Sequence, residues 1–205
     1  MYNSERIPDS ELIINPDGTI YHLNLRPEDV ADTVITVGDP DRVESVSKHF
    51  DSIQLKARHR EFVTHTGYLN NKRITVISTG IGTDNIDIVF NELDALVNID
   101  FATRTIKEAK TSLDIIRVGT SGSVSADLQI DNTLITETAI GMDGLMHFYE
   151  FENSIQETVY LEAFANHIKP YFKEVAPYIA TGSEKLINKF EAYYPKGTTK
   201  DLAIY

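Results

Sequence analysis

Apolar positions along the chain switch between two periods, and the switches predict the elements. Thr33-Val34-Ile35-Thr36-Val37 is a short, unbroken run rich in β-branched residues, the mark of a buried strand. It ends at Gly38. Asp39-Pro40 then reads as a helix start, with Asp39 as cap and Pro40 in the first helical position, and Val43, Val46 and Phe50 follow at helical spacing. Glu61 to Leu69 and Arg73 to Thr79 read as two strands joined by an Asn70-Asn71 turn. After Gly80-Ile81-Gly82 the period becomes helical, with Ile86, Val89, Phe90, Leu93, Leu96 and Val97 forming one stripe. Asn98 to Ser112 is polar and reads as a helical excursion. Leu113 to Val118 is expected to be another buried strand. Thr19 to Leu25, beyond the turn signal Asn15-Pro16-Asp17-Gly18, and Asn132 to Ile140 are expected as further strands. Thr158 to Ile168 and Ser183 to Tyr193 read as helices. Strands alternating with helices predict a layered α/β fold, and no linker divides residues 1–205 into two domains.

Composition narrows the function classes. Hydrophobic residues make up 41% and charged residues 24%, values typical of a globular chain with a packed core. No apolar run is long enough to span a bilayer, so no membrane partner is expected. Met1 to Ser10 is polar and lacks the apolar stretch of a secretory signal. Cysteine is absent, which removes disulfides, thiolate nucleophiles and Cys-bound zinc, and the cytoplasm is the simplest compartment. The net charge of −12 would repel a phosphate-covered polymer, so nucleic acid is not expected as a partner. An acidic chain that binds a small anion must gather its few arginines in one place.

Three predicted strands end in glycine-bearing loops: Gly38-Asp39-Pro40-Asp41-Arg42, Ser78-Thr79-Gly80-Ile81-Gly82 and Arg117-Val118-Gly119-Thr120-Ser121-Gly122. Ligands of open α/β sheets gather at the carboxyl ends of strands, and glycine lets backbone N–H groups approach an anion closely. Arg42 falls in the first turn of its helix, where a cation opposes the macrodipole unless an anion binds there. Taken alone, Arg42 is more simply read as solvated or paired with Asp39 or Glu44. Arg117 lies in an apolar run and, if buried, needs a counter-ion: a bound ligand or a structural carboxylate. His59 and His65 make no zinc pattern. The chain has no complete dinucleotide fingerprint, no Walker lysine and no Gly-x-Ser-x-Gly elbow.

Taken together, these segments resemble the nucleoside phosphorylase family, and most closely its uridine phosphorylase branch. The matching pieces are Tyr21-His22-Leu23, Val37-Gly38-Asp39-Pro40-Asp41-Arg42-Val43, His59-Arg60-Glu61-Phe62, Ser78-Thr79-Gly80-Ile81-Gly82, Arg117-Val118-Gly119-Thr120-Ser121-Gly122 and His147-Phe148, in the family's order and at similar spacings. The resemblance implies a three-layer α/β/α domain with a central mixed, twisted sheet, spanning residues 1–205 and lacking the family's last elements. The family's Gln-Gly-Arg segment for the base and Glu-Met-Glu segment for the ribose would follow near and beyond Tyr205.

The resemblance further implies reversible phosphorolysis of a nucleoside, with uridine as the branch's substrate, to free base and ribose-1-phosphate. Inorganic phosphate is then the co-substrate, and no cofactor is required. Gly38, Arg42 and Arg117 would hold the phosphate, and Thr120 would span phosphate and ribose. Arg60 would reach the phosphate of a neighbouring subunit, and His22 the ribose 5′-hydroxyl across the same interface. Ser121 and Gly122 would line the base pocket. Glu61 and Ile81 match positions that hold a monovalent cation between subunits, although Asn85 stands where a Ser is usual. The implied assembly is a homodimer or a dimer-based hexamer. A nucleosidase using water, and a phosphate- or nucleoside-binding protein of the same fold without turnover, are the alternatives.

Overall fold

The computed structural model describes residues 5–123, 126–193 and 199–204, with 191–193 and 199–204 as backbone only. The chain forms two compact units, Met1–Ser121 and Gly122–Tyr205.

The first unit is built on a five-stranded sheet. Its elements are β1 (Thr33–Val37), α1 (Asp41–Ser47), β2 (Ser52–His59), β3 (Phe62–Leu69), β4 (Lys72–Ser78), α2 (Thr83–Asn98), the two-residue strands β5 (Ile99–Asp100) and β6 (Thr105–Ile106), and β7 (Asp114–Arg117). The order across the sheet is β2-β3-β4-β1-β7. β1 runs parallel to both β4 and β7, while β2, β3 and β4 are antiparallel neighbours, so the sheet is mixed. Alternation along the strands sends side chains to two faces. Val37, Val63 and Val76 pack with Val43 of α1. Val34, Phe62 and Ile77 pack with Val89, Leu93 and Leu96 of α2, together with Leu12, Ile20, Leu23 and Leu25 from the N-terminal segment. Helix, sheet and helix make three layers within this unit.

Several expectations are corrected here. Thr19 to Leu25 is not a strand: Ile20 makes only a single bridge to Ile14. Asp17 Oδ1 accepts from both the backbone N (3.1 Å) and the hydroxyl (2.7 Å) of Thr19, and Asn24 turns the chain with φ 54°. Local side-chain bonds to the backbone outcompete a ladder there. Residues 98–112 are not a helix but contain the β5–β6 hairpin. Asp100 Oδ1 takes the amides of Ala102 and Thr103, and Arg104, with φ 58°, reaches the carbonyls of Ile7 and Leu12. β2 had not been expected, although Ile53, Leu55 and Ala57 alternate with polar residues along it. α1 begins one residue later than expected, but Asp39 Oδ1 still accepts from the Asp41 amide at 2.9 Å. The Asn70–Asn71 turn has φ of 49° and 64°, the left-handed pair that a tight hairpin requires.

The second unit contains β8 (Leu134–Gly141), α3 (Ile155–Ile168), β9 (Tyr178–Thr181), α4 (Glu184–Tyr193) and β10 (Thr199–Ile204). The strand order is β10-β8-β9, with β10 parallel and β9 antiparallel to β8. A capping box starts α3 three residues before the expected Thr158: Ser154 Oγ accepts from Glu157 N at 3.2 Å, and the Glu157 carboxylate accepts from Ser154 N at 2.8 Å. Ile140, Ile168, Ile179 and Ile187 are buried. Tyr178 lies so close over Gly141 that a Cβ there would overlap its ring, and its hydroxyl donates to Asp143 at 2.9 Å. Burial, and then Asp143, push the phenol up to about 12, so it remains a donor. Among the described residues no helix is long and apolar enough to cross a membrane.

Candidate active site

The sheet register lines up the three glycine loops. Val37 pairs with Ser78, and Thr36 pairs with Arg117, so the carboxyl ends of β4, β1 and β7 are adjacent. Adjacent strands lie about 4.8 Å apart. Thr79 N donates to Val37 O (2.8 Å) and Val118 N to Thr36 O (2.9 Å), which prolongs both pairings just past the strand ends. Gly38 therefore sits centrally, between the Gly80 and Gly119 loops. Gly80 has φ 69°, and a Cβ there would come within 2.6 Å of Asn85 Nδ2 and 3.1 Å of Glu61 Cγ. Only glycine fits that position.

Arg117 differs from expectation. β7 is the edge strand of its sheet, and Arg117, its last residue, is exposed rather than buried. Its guanidinium folds back over the loop, where a Cβ on Gly119 would lie 2.5 Å from Nη1. The cation thus lies against the loop backbone. Arg42 is also exposed, and among the described residues it pairs with neither Asp39 nor Glu44. Thr120 and Ser121 are exposed on the loop after β7, and Gly122 opens the second unit. Gly38 and Arg42, which follow β1, and Arg117 and Thr120, at and after the end of β7, therefore lie at the same carboxyl end of the sheet. A sheet end with two exposed guanidinium groups and glycine-rich backbone can take up an anion with several acceptor oxygens.

A second group of residues lies at the same end of the sheet but toward its other edge, around the β2–β3 turn. Ser78 Oγ donates to Glu61 O (2.6 Å) and accepts from Val63 N (2.7 Å), pinning the turn to the end of β4. Arg60 occupies the turn with φ 55°. Its Cζ lies 5.5 Å from the Tyr21 ring centroid, and its Nη2 is 3.4 Å from the Tyr21 hydroxyl. His59 Nδ1 donates to the carbonyl of His22 at 2.9 Å. Glu92, on α2, accepts from the amides of His22 and Leu23 and from His22 Nδ1 at 2.7 Å. Arg60 and His22 are thus brought together by Tyr21, His59 and Glu92. β4 lies between the β2–β3 turn and the central Gly38 loop. Glu92 had not been expected as a site residue. Its signal was an acidic residue three positions after Val89 and four before Leu96, on the buried stripe of α2.

Glu61, Asn85 and Ile81 meet around Gly80. Ile81 is 92% exposed, and Asn85 Nδ2 donates to its carbonyl at 3.3 Å. A monovalent cation at Glu61 and Ile81 would have to displace that amide. Among the described residues no group of three or more His, Asp or Glu side chains could hold a metal ion.

A cavity of about 380 Å³ lies on the α1 side of the sheet, lined by Pro40, Asp41, Glu44, Lys56, Arg58 and His65 among others. His65 Nδ1 is 2.7 Å from Ser47 Oγ. Burial, and then the charge of Lys56, hold His65 below its ordinary range.

Residues 32–199 match the phosphorylase superfamily. The chain belongs to that superfamily. It is 32% identical over 145 residues to a uridine phosphorylase of Thermococcus kodakarensis, covering 71% of this chain and 47% of that protein. It is 33% identical over 136 residues to a uridine phosphorylase of Escherichia coli, covering 65% and 48%. The chain spans about half the length of these curated relatives. A solved Trypanosoma brucei nucleoside phosphorylase, described as showing uridine phosphorylase activity, superposes with a TM-score of 0.79 at 29% identity, over 94% of this chain and 67% of that one. A Vibrio fischeri uridine phosphorylase shares the fold, with a TM-score of 0.63 at 22% identity over 89% and 61% of the two chains. The α/β architecture with a mixed sheet is thus that of the phosphorylase superfamily.

Proposed function

We propose that this phosphorylase superfamily chain takes part in reversible phosphorolysis of a nucleoside, with uridine as substrate and inorganic phosphate as co-substrate. The observation that carries the reading is the alignment of the Gly38, Gly80 and Gly119 loops on adjacent strand ends, with the Arg117 guanidinium laid over Gly119 and Arg42 in the first turn of α1, the helix that follows Gly38.

Arg42 and Arg117 hold phosphate through charge-assisted bonds, with Gly38 giving backbone access and Thr120 spanning phosphate and ribose. Held in place, phosphate is an oriented nucleophile below the anomeric carbon. A phosphate oxygen forms the new bond to C1′ as the C1′–N bond breaks. The bonding pair leaves with the base, which then gains a proton. The sugar passes through a cationic state that the bound anion stabilises electrostatically. Ser121 and Gly122 are assigned to the base.

Arg60 and His22 are assigned to the site of a second copy in a homodimer or dimer-based hexamer, Arg60 reaching phosphate and His22 the ribose. Their position across β4 from the Gly38 loop supports this division of labour. The family match runs across the boundary at Ser121, which supports one phosphorylase-like domain built from both units. The cytoplasm, where phosphate and nucleosides are both at hand, is the proposed setting.

Incubating the chain with uridine and phosphate and separating the products tests the reading. Ribose-1-phosphate with uracil is expected. Free ribose would assign the chain to hydrolysis, and binding of phosphate and uridine without product would make it a binding protein.

A further inference from the structure

Glu92 sits on the buried stripe of α2, and its side chain is 12% exposed. Oε1 lies 2.7 Å from His22 Nδ1 and 3.0 Å from His22 N, and Oε2 lies 2.8 Å from Leu23 N and 3.1 Å from His22 N. An ionised carboxylate only accepts, so the proton between Oε1 and Nδ1 belongs to the ring. A neutral imidazole has one N–H; when Nδ1 carries it, Nε2 holds the lone pair. The peptide on the other side is fixed too, because His59 Nδ1 donates to the His22 carbonyl at 2.9 Å. Tyr21 meets the ring edge-on, with centroids 4.7 Å apart. Besides Glu92, the titratable and charged groups facing His22 among the described residues are Tyr21, His59 and, through Tyr21, Arg60.

We infer that Glu92 is a positioning residue that holds His22 in its Nδ1–H form and so makes Nε2 a hydrogen-bond acceptor. This rests on the assignment of His22 to the ribose and sharpens it. The sugar group that meets Nε2 must donate, so the ligand is a nucleoside with a free hydroxyl at that position. One whose oxygen is methylated or phosphorylated there offers no such proton.

Glu92 combines two tasks on one carboxylate. It satisfies the backbone amides that enter and leave the His22 segment, and it sets the ring's tautomer. A glutamine of the same shape cannot do both. Its NH₂ would face either a backbone N–H, where two fixed donors oppose each other, or the ring, where it donates to Nδ1 and moves the ring proton to Nε2; only the ring can change its donor pattern, so the second orientation is favoured.

Selective ¹⁵N-histidine labelling of the full chain, with His22→Gln supplying the assignment, reads both ring nitrogens at a pH where the ring is neutral. The wild-type ring is expected to carry its proton on Nδ1, the reverse of free histidine. In Glu92→Gln the major form should shift to Nε2–H while the rest of the amide spectrum is retained. A wild-type His22 with its proton mainly on Nε2 overturns the inference whatever the variant does. So does a folded Glu92→Gln chain that keeps the Nδ1–H form. The measurement needs no turnover: a chain with His22 in the Nδ1–H form and no phosphorolysis counts against the proposed activity, while the role of Glu92 stands.

Discussion

The two halves of the candidate site in the first unit are built differently. Around His22, each polar group named has a protein partner: Glu92 takes two amides and a ring nitrogen, His59 takes a carbonyl, and Arg60 leans on Tyr21. At the glycine loops the chemistry faces outward: Arg42 is exposed and without an ion-pair partner among the described residues, and Thr120 is exposed. The first arrangement is preorganised, its ordering entropy already spent in folding. The second presents charge that an anion would complete. Mutations in the two regions should therefore differ in kind: stability should fall when the locked partners such as Glu92 are removed, and phosphate affinity should fall furthest at the open loops.

The largest effect is expected from replacing both Arg42 and Arg117 with Met. A hydrogen bond to a charged group contributes about 1.5–3 kcal/mol, so each arginine should account for roughly tenfold to a hundredfold in phosphate affinity. Calorimetric titration with phosphate should show binding lost in the double variant. Because Arg42 is exposed, the single Arg42→Met change should leave stability within about 0.5 kcal/mol of wild type. Unchanged phosphate affinity would mean the two guanidinium groups serve no anion and would erase the contrast.

Glu92→Ala should give the reverse pattern. It strips the acceptor from two backbone amides, each worth about 1–3 kcal/mol when left unsatisfied, so urea unfolding should report a loss of about 2–6 kcal/mol. Phosphate affinity should change by less than about twofold, since Arg42 and Arg117 lie outside this network and Arg60 leans on Tyr21 rather than on Glu92. A stable variant that had lost phosphate binding would show that the two regions are one.

This contrast also marks what the chain reveals before folding. The open loops were legible because glycine and arginine at strand ends carry their chemistry in the sequence itself, and β1, β3, β4 and α2 were legible from their periods. The locked cluster was legible only in part. His22 and Arg60 came from family resemblance, while Glu92 lies 70 residues from His22 and no local pattern links them. The exposure of Arg117 followed from a fact no local run contains, namely that β7 ends the sheet. Residues 98–112 misled because a polar stretch between a helix and a strand leaves the period undecided, and the deciding bonds, Asp100 to its own turn and Arg104 to residues 7–12, are side-chain contacts.

Gly80 is the seam between the regions, with Glu61 of the pinned turn on one side and the Gly38 loop on the other. Gly80→Ala must carry a side chain at φ 69° and push aside Asn85 Nδ2, 2.6 Å from the new Cβ. The expected cost is about 1–3 kcal/mol. If the seam transmits the strain, the variant should also weaken phosphate binding severalfold, which the Glu92 variant should not. Thermal unfolding with and without phosphate separates the two contributions, and a fully stable Ala variant would show that the loop has a second conformation open to it.

The smallest effect is a slope rather than a step, and it tests how firmly the open half is held from behind. α1 carries Arg42 near its start and Ser47 at its end, and Ser47 Oγ lies 2.7 Å from Nδ1 of the buried His65. Burial and Lys56 lower the His65 pKa from its ordinary 6.5, against a smaller opposing pull from Glu44. The folded chain therefore resists protonation that the unfolded chain accepts. Above 6.5 neither state binds the proton and the full stability is present. As the pH falls below 6.5 the unfolded state takes up a proton first, and stability declines until the folded ring titrates as well, after which this contribution levels off. Urea midpoints measured downward from neutrality should fall in the wild type, and His65→Gln should flatten that part of the curve. If protonation loosens the end of α1, phosphate affinity should weaken over the same window in the wild type and less in the variant, beyond the change that phosphate's own ionisation imposes on both. Parallel curves for the two chains would mean that α1 is held by its apolar contacts alone and that the open half of the site is as firmly founded as the locked one.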